Sequence, residues 1–197
     1  MTLGILAYGS LLNDPGFEIR PLIADRIQTV TPFPVEYARE SKKRGDSYTV
    51  VPHPYGQPVK AEILVLSEIV SLEQAKDLLY RRERGIEGSR EEYKHKSLRN
   101  AVIVQDKPGF HDLAHVLYTD FHPAGKDQNP DPRDMAVAAI KSVRKASCGQ
   151  DGISYLINLI SNGVFTVLTD SYRQEILKQT NAATLSEALQ FAKMGGS

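Results

Sequence analysis

One cysteine, no excess of either charge and no long apolar run set the first limits on this chain. Cys148 stands alone, so no disulfide can close within the chain and a reducing compartment is expected. Lys+Arg and Asp+Glu number 24 each, which leaves no formal net charge. Nucleic acids and anionic membrane surfaces select a clustered positive field. The two short basic runs, Ser41-Lys42-Lys43-Arg44 and Arg81-Arg82, read instead as solvated faces. No stretch approaches the ~18 apolar residues of a membrane span. The opening MTLGILAYGS has no basic start and only a brief apolar run, unlike a signal peptide. The expectation is a cytoplasmic protein with neither a nucleic-acid nor a membrane partner. GxGxxG, GxxxxGK[ST] and GxSxG are all missing too.

What is present suits one domain over 1–197, two smaller domains being the weaker reading at this length. Hydrophobic residues make up 41% of the chain, enough for a sizeable core. Leu3 to Tyr8 is an apolar run closed by Gly9-Ser10, the pattern of a buried strand entering a tight turn. Further strands are expected at Val35–Ala38, Tyr48–Val51, Val59–Leu66, Ala101–Gln105 and Ala114–Tyr118. The Tyr55-Gly56-Gln57-Pro58 turn predicts that Tyr48–Val51 and Val59–Leu66 pair as a hairpin.

Helix signals are sharper. Ser71-Leu72-Glu73-Gln74 has capping-box spacing, followed by Ala75, Leu78 and Leu79. Asp131-Pro132 opens a second helix that Gly149 stops. Ile153, Leu156, Ile157 and Ile160 form a stripe expected to face the sheet, with Tyr155 off it and Asn162-Gly163 as the stop. Asp170 is expected to cap a short helix carrying Tyr172, Ile176 and Leu177, and Thr184-Leu185-Ser186-Glu187 is another capping box. The stretch from Tyr118 to Asp131 reads as a long loop, and Gly195-Gly196-Ser197 as a frayed tail. The predicted class is α+β: a small, mostly antiparallel, barrel-like sheet flanked by helices, with a helical last third over 131–194.

Three groups can carry chemistry. Glu83 lies eleven steps beyond Leu72, about 1100° of helix rotation, and so falls at the end of the apolar stripe with Arg81 on the far side. Burial raises a carboxylate's pKa, which suits proton transfer near neutrality. The alternative is a surface Glu on a frayed last turn, paired with Arg82 or Arg84. Tyr8-Gly9-Ser10-Leu11 can present successive backbone N–H groups to a carboxylate or oxyanion, or be a plain strand-to-loop turn. His111 and His115 have helical ligand spacing, but on loop and strand that spacing does not converge, and Cys148 adds no ligand set; no metal is expected. Cys148 has no assigned His to activate it and reads as a partly buried, inert thiol.

Three segments together resemble a known family. AYGSLLNDPGF is similar to the N-terminal YGS signature of the γ-glutamylcyclotransferase-like superfamily, in particular its ChaC-like branch. LLYRRERG resembles that branch's Tyr-x-x-Arg-Glu segment, whose Glu is catalytic and falls here on Glu83. CGQDGISYLINLISNGVFTVLTDSYRQEIL resembles its ending of Gly-x-x-Gly, a Tyr-Leu helix and Asp-x-Tyr. The resemblance implies cyclisation of a γ-glutamyl amide, glutathione or another γ-glutamyl amine, to 5-oxoproline without a cofactor. It implies Glu83 as general acid/base and Tyr8, Gly9, Ser10 and Leu11 as the substrate-holding turn. Tyr155 is expected to add its hydroxyl to the pocket wall. Two departures bear on the substrate: Lys43-Arg44-Gly45-Asp46-Ser47 stands near the family's Arg-Gly-Thr-Pro-Glu, and Arg84-Gly85-Ile86-Glu87-Gly88 replaces the Gly-Tyr after the catalytic Glu. A non-catalytic binding or regulatory module on the same fold is the alternative.

Overall fold

The computed structural model describes residues 2–195. Among the described residues seven strands form: β1 Leu3–Ala7, β2 Ile23–Val30, β3 Val35–Ser41, β4 Ser47–Pro52, β5 Lys60–Leu66, β6 Val102–Asp106 and β7 His115–Phe121. The chain divides into two compact units, one holding 2–31 and 60–125, the other 32–59 and 126–195.

In the first unit five strands run in the order β2-β5-β1-β7-β6. Only β1 and β7 pair in parallel; the other neighbours are antiparallel. The β1 sequence LGILA is buried at every position, as a central strand covered on both faces must be. Helix α1, Leu72–Arg84, begins with the expected box: the Ser71 hydroxyl accepts from the Gln74 N–H, and the Gln74 side chain accepts from the Ser71 N–H. Its Ala75, Leu78 and Leu79 join Leu3, Ile5, Leu64 and Leu117 in one apolar core. Burying a leucine in this way contributes about 1.5–3 kcal/mol.

The strand β2 has no counterpart among the expected strands. IADRIQTV is largely exposed, and its Arg26 and Gln28 side chains donate to the Glu62 carboxylate of β5 at 2.7 and 2.6 Å. A polar edge strand lacks the apolar alternation that marks a half-buried one. The expected hairpin of Tyr48–Val51 with Val59–Leu66 is corrected as well. The strand β4 pairs with β3, while β5 pairs with β1 and β2 in the other sheet. Pro52, Pro54 and Pro58 interrupt the β4–β5 connection, and a proline cannot supply the ladder N–H that continuous pairing needs.

The second unit packs four helices with the two-stranded β3–β4 sheet: α2 Pro132–Ser142, α3 Gly152–Ser161, α4 Thr169–Thr180 and α5 Leu185–Met194. Asp131 caps α2, with Pro132 at its first position. Asp151 caps α3 through the Ser154 N–H at 2.8 Å. The helix α2 stops at Ser142, short of Gly149, because the Ser142 hydroxyl turns back to donate to the Ala139 carbonyl and accepts from the Gly152 N–H.

Asp170 is not the cap of α4. It lies inside the first turn, and the Leu168 N–H at the helix start donates to buried Glu36 of β3 at 3.1 Å. An acid from another element thus serves the positive end of the helix. The second capping box is half made: Thr184 accepts from the Glu187 N–H, but Glu187 accepts from Ala183. Gly195 is the left-handed cap of α5; Gly196-Ser197 lie outside the described residues.

The stretch before α2 is tied down rather than loose. The strand β7 runs on to Phe121, and the Asp127 N–H donates to the Ala38 carbonyl at 2.7 Å. The Asp127 carboxylate accepts from the Tyr48 hydroxyl at 2.9 Å. Burial, followed by this carboxylate, pushes the Tyr48 phenol well above its ordinary value, so it stays a neutral donor.

Candidate functional site

β1 delivers the chain to the Tyr8-Gly9-Ser10-Leu11 turn. Tyr8 is buried, and its hydroxyl donates to the Thr119 carbonyl of β7 at 3.1 Å. Gly9 then opens a single 3-10 turn over Ser10–Leu12. Within it the Leu12 N–H donates to the Gly9 carbonyl at 3.2 Å and the Asp14 N–H to the Ser10 carbonyl at 2.9 Å. The N–H groups that begin such a turn have no acceptor inside it and take their partners from outside it.

α1 brings a second set of groups to the same place. Of its buried residues, Ala75, Leu78, Leu79 and Arg82 stand at i, i+3, i+4 and i+7, one stripe, with Tyr80 buried outside it. Arg82 is only 7% exposed. Its Nε and Nη2 both donate to the Asp14 carbonyl, at 3.1 and 2.6 Å, and Nη2 also reaches Ser10 Oγ at 3.5 Å. Arg81, on another side, pairs with Glu18 through two hydrogen bonds of 3.0 Å. The hydrogen bond from Arg81 holds the Glu18 carboxyl below its ordinary value, against the opposing effect of burial. Arg81-Arg82 is therefore no solvated face. Arg82 completes the stripe that the leucines begin, and that spacing is the signal that could have found it.

Glu83 follows Arg82 and is half-buried, at the edge of this stripe. The turn that carries it is fixed. Gly85, at φ 66°, donates to the Arg82 carbonyl at 3.2 Å, and Ile86 donates to the Arg81 carbonyl at 3.0 Å. These are the two bonds of a Schellman stop, so the last turn does not fray. Beyond it, Glu87 folds back against Gly16 and the Arg82 stem, where a Cβ on Gly16 would collide with its carboxylate. Glu87 Oε1 is buried without a hydrogen-bond partner among the described residues.

Tyr155 belongs to the second unit. It does not lie off the buried stripe of α3, as expected, but on it: Ile153, Tyr155, Leu156 and Leu159 are buried and Ile160 only half so. The buried face is rotated because α3 packs its Tyr155 ring edge-to-face on Tyr37 of β3, centroids 6.4 Å apart. The Tyr155 hydroxyl accepts from the Val50 N–H of β4 at 3.4 Å. Arg44 stacks on the same ring, 4.1 Å from its centroid, and donates to the Gln150 carbonyl at 3.3 Å. The run from Ser41 to Arg44 is thus half a packing device. Tyr172, the Tyr of Asp-x-Tyr, is fully buried with its centroid 5.2 Å from that of Tyr37.

The histidines part company. His115 Nδ1 lies 2.6 Å from the Asp106 carboxylate, while His111 Nε2 meets Thr29 Oγ1 at 2.8 Å. Cys148 is exposed rather than partly buried. Among the described residues no group of three or more His, Cys, Asp or Glu is placed to hold a metal, and no helix is long and apolar enough to cross a membrane.

Neither a protein-family model nor a curated protein matches the chain. Among solved structures it is similar to a γ-glutamyl cyclotransferase from yeast that is specific to glutathione. The TM-score is 0.52 at 10% identity, over 100% of both chains. The fold of this chain is that of a γ-glutamylcyclotransferase.

Proposed function

We propose that the chain acts as one γ-glutamylcyclotransferase-like domain of the ChaC-like branch, a cytoplasmic enzyme closing a γ-glutamyl amide to 5-oxoproline and releasing the amine. The substrate is glutathione or another γ-glutamyl amine or peptide. The observation that carries the reading is the fold shared along the whole chain with a glutathione-specific cyclotransferase. The hold of Arg82, the neighbour of Glu83, on the Ser10 turn supports it.

The chemistry then needs few parts. The substrate's α-amino group attacks its own γ-carbonyl, forming one C–N bond as the other breaks. At neutral pH the amine is an ammonium: one proton leaves to solvent to free its lone pair, and Glu83 takes a second from the same nitrogen as the ring C–N bond forms. The leaving amine is a poor leaving group, so Glu83 returns that proton to its nitrogen. Each role can contribute ~10²–10⁴-fold. The N–H groups of Gly9, Ser10 and Leu11 hold the glutamyl carboxylate or the developing oxyanion. Tyr8 contributes the wall behind the turn.

Glu83→Gln tests the assignment. Gln keeps the shape of Glu but can neither accept the amine proton nor return it. Formation of 5-oxoproline from a panel of γ-glutamyl compounds should fall at least ~10²-fold in kcat, with binding retained. Turnover near the wild-type rate would remove Glu83 from the mechanism. Binding without turnover by the wild type on every compound would favour the non-catalytic module.

A further inference from the structure

The geometry points to Arg82 as a positioning residue: it fixes the Ser10 turn and leaves the Ser10 hydroxyl as a donor toward a substrate oxygen. This rests on the reading above for the identity of that oxygen, a γ-glutamyl carboxylate or oxyanion. The placement itself rests on the hydrogen bonds.

A guanidinium has five N–H donors and no acceptor. Arg82 is buried, and its two short bonds go to one main-chain carbonyl, that of Asp14. The Asp14 carboxylate, 3.8 Å from Nη2, is 64% exposed. The Glu87 carboxylate packs against the Arg82 stem, but its buried Oε1 takes no hydrogen bond from the guanidinium. Beside the long, exposed ion pair with Asp14, what Arg82 gains is a grip on the backbone. Asp14 closes the 3-10 turn through its own N–H to the Ser10 carbonyl, so holding the Asp14 carbonyl holds the turn at its far end.

The same Nη2 approaches Ser10 Oγ at 3.5 Å. Arg82 can only donate, so Ser10 Oγ accepts there and its own hydrogen must point to another acceptor. Without Arg82 the hydroxyl could turn inward and donate to the turn's carbonyls. Glu83 is the next residue on α1, so one helical turn carries both the acid/base and the strut. Lysine cannot replace it: an ammonium is a point charge and lacks the planar fork that bonds one carbonyl twice.

The test uses the full chain with Arg82→Lys, Arg82→Gln, Ser10→Ala and Ser10→Ala in the Arg82→Lys background. The first readout is amide hydrogen exchange at Leu12 and Asp14, two of the N–H groups bonded inside the turn. In Arg82→Lys both should exchange about tenfold faster, the scale of one lost charge-assisted hydrogen bond. The amides of Ala75 to Tyr80 should keep their protection. The second readout is the reaction with glutathione. KM should rise about tenfold with a smaller change in kcat, and Ser10→Ala should raise KM in the wild type but add little in the Arg82→Lys background. Unchanged exchange at Leu12 and Asp14 in a folded Arg82→Lys or Arg82→Gln would overturn the strut. An equal Ser10→Ala effect in both backgrounds would overturn the role of the hydroxyl. If the wild type cyclises nothing, the function fails by that result alone, and the exchange readout still decides whether Arg82 holds the turn.

Discussion

Glu18 and Arg81 show what a carboxylate in this chain gains from a well-aimed partner. Both side chains are largely buried and joined by two parallel hydrogen bonds, the bidentate geometry that makes such pairs count. The Glu18 pKa is lowered in the folded chain. Its contribution is therefore complete above the ordinary carboxylate range and is lost as acidification passes through the folded value. Glu18→Gln should cost about 1–2 kcal/mol at neutral pH and much less in acid, so its urea midpoint should converge on the wild type's as pH falls. Equal losses at pH 7 and pH 3 would contradict this. Single residues were unevenly legible in the sequence. Rotation along α1 set Glu83 at the edge of the apolar face. It equally placed Arg82 inside that face, but a charged residue reads as solvated until its partners are known, and the turn that supplies them, though expected, lies some seventy positions away with nothing in the sequence to pair the two.

Elements defined by local chemistry were the legible ones. β1, α1, α3 and the starts of α2 and α5 follow from apolar spacing and capping residues within a few positions of each other. β2, the partner of β4 and the cap of α4 depend on residues far away in sequence. Gly152 illustrates the difference. It stands in the Gly-x-x-Gly segment, yet it is required by its surroundings: a Cβ there would come within 2.6 Å of Ser47 Cβ and 2.9 Å of the Ala139 backbone. That contact joins the start of α3 to β4 and α2. Gly152→Ala should destabilise the protein by about 1–3 kcal/mol through overpacking, seen as a lower Tm. Gly149, with nothing within 4 Å of an added Cβ but a φ of 75°, should lose about 1 kcal/mol on the same change for the backbone alone. Equal stability of Gly152→Ala and the wild type would show that α3 can shift to make room.

At the scale of the molecule, the α+β class and the helical last third were readable from the order of patterns. The division of the strands between two sheets was not, because the chain leaves the first unit after β2 and returns at β5. It does so at paired residues, Val30 and Lys60, so to that sheet the intervening segment is the loop of a long hairpin. The β3–β4 pair it carries is a two-stranded sheet, which is marginal alone. Its Tyr37, Val50 and Val51 are buried, and within the second unit its cover comes from helices made later in the chain. Hydrogen exchange at Tyr37 and Val50 should therefore be as slow as at Leu156, since one cooperative opening must release both. Faster exchange confined to the hairpin would show that it opens by itself. The same arrangement sets a waiting time during synthesis. The hairpin is finished at residue 52, and the helices that pack on it, α2 and α3, start at residues 132 and 152. At roughly 5–20 residues per second, an apolar ribbon waits several seconds on the ribosome before the chain that shelters it exists.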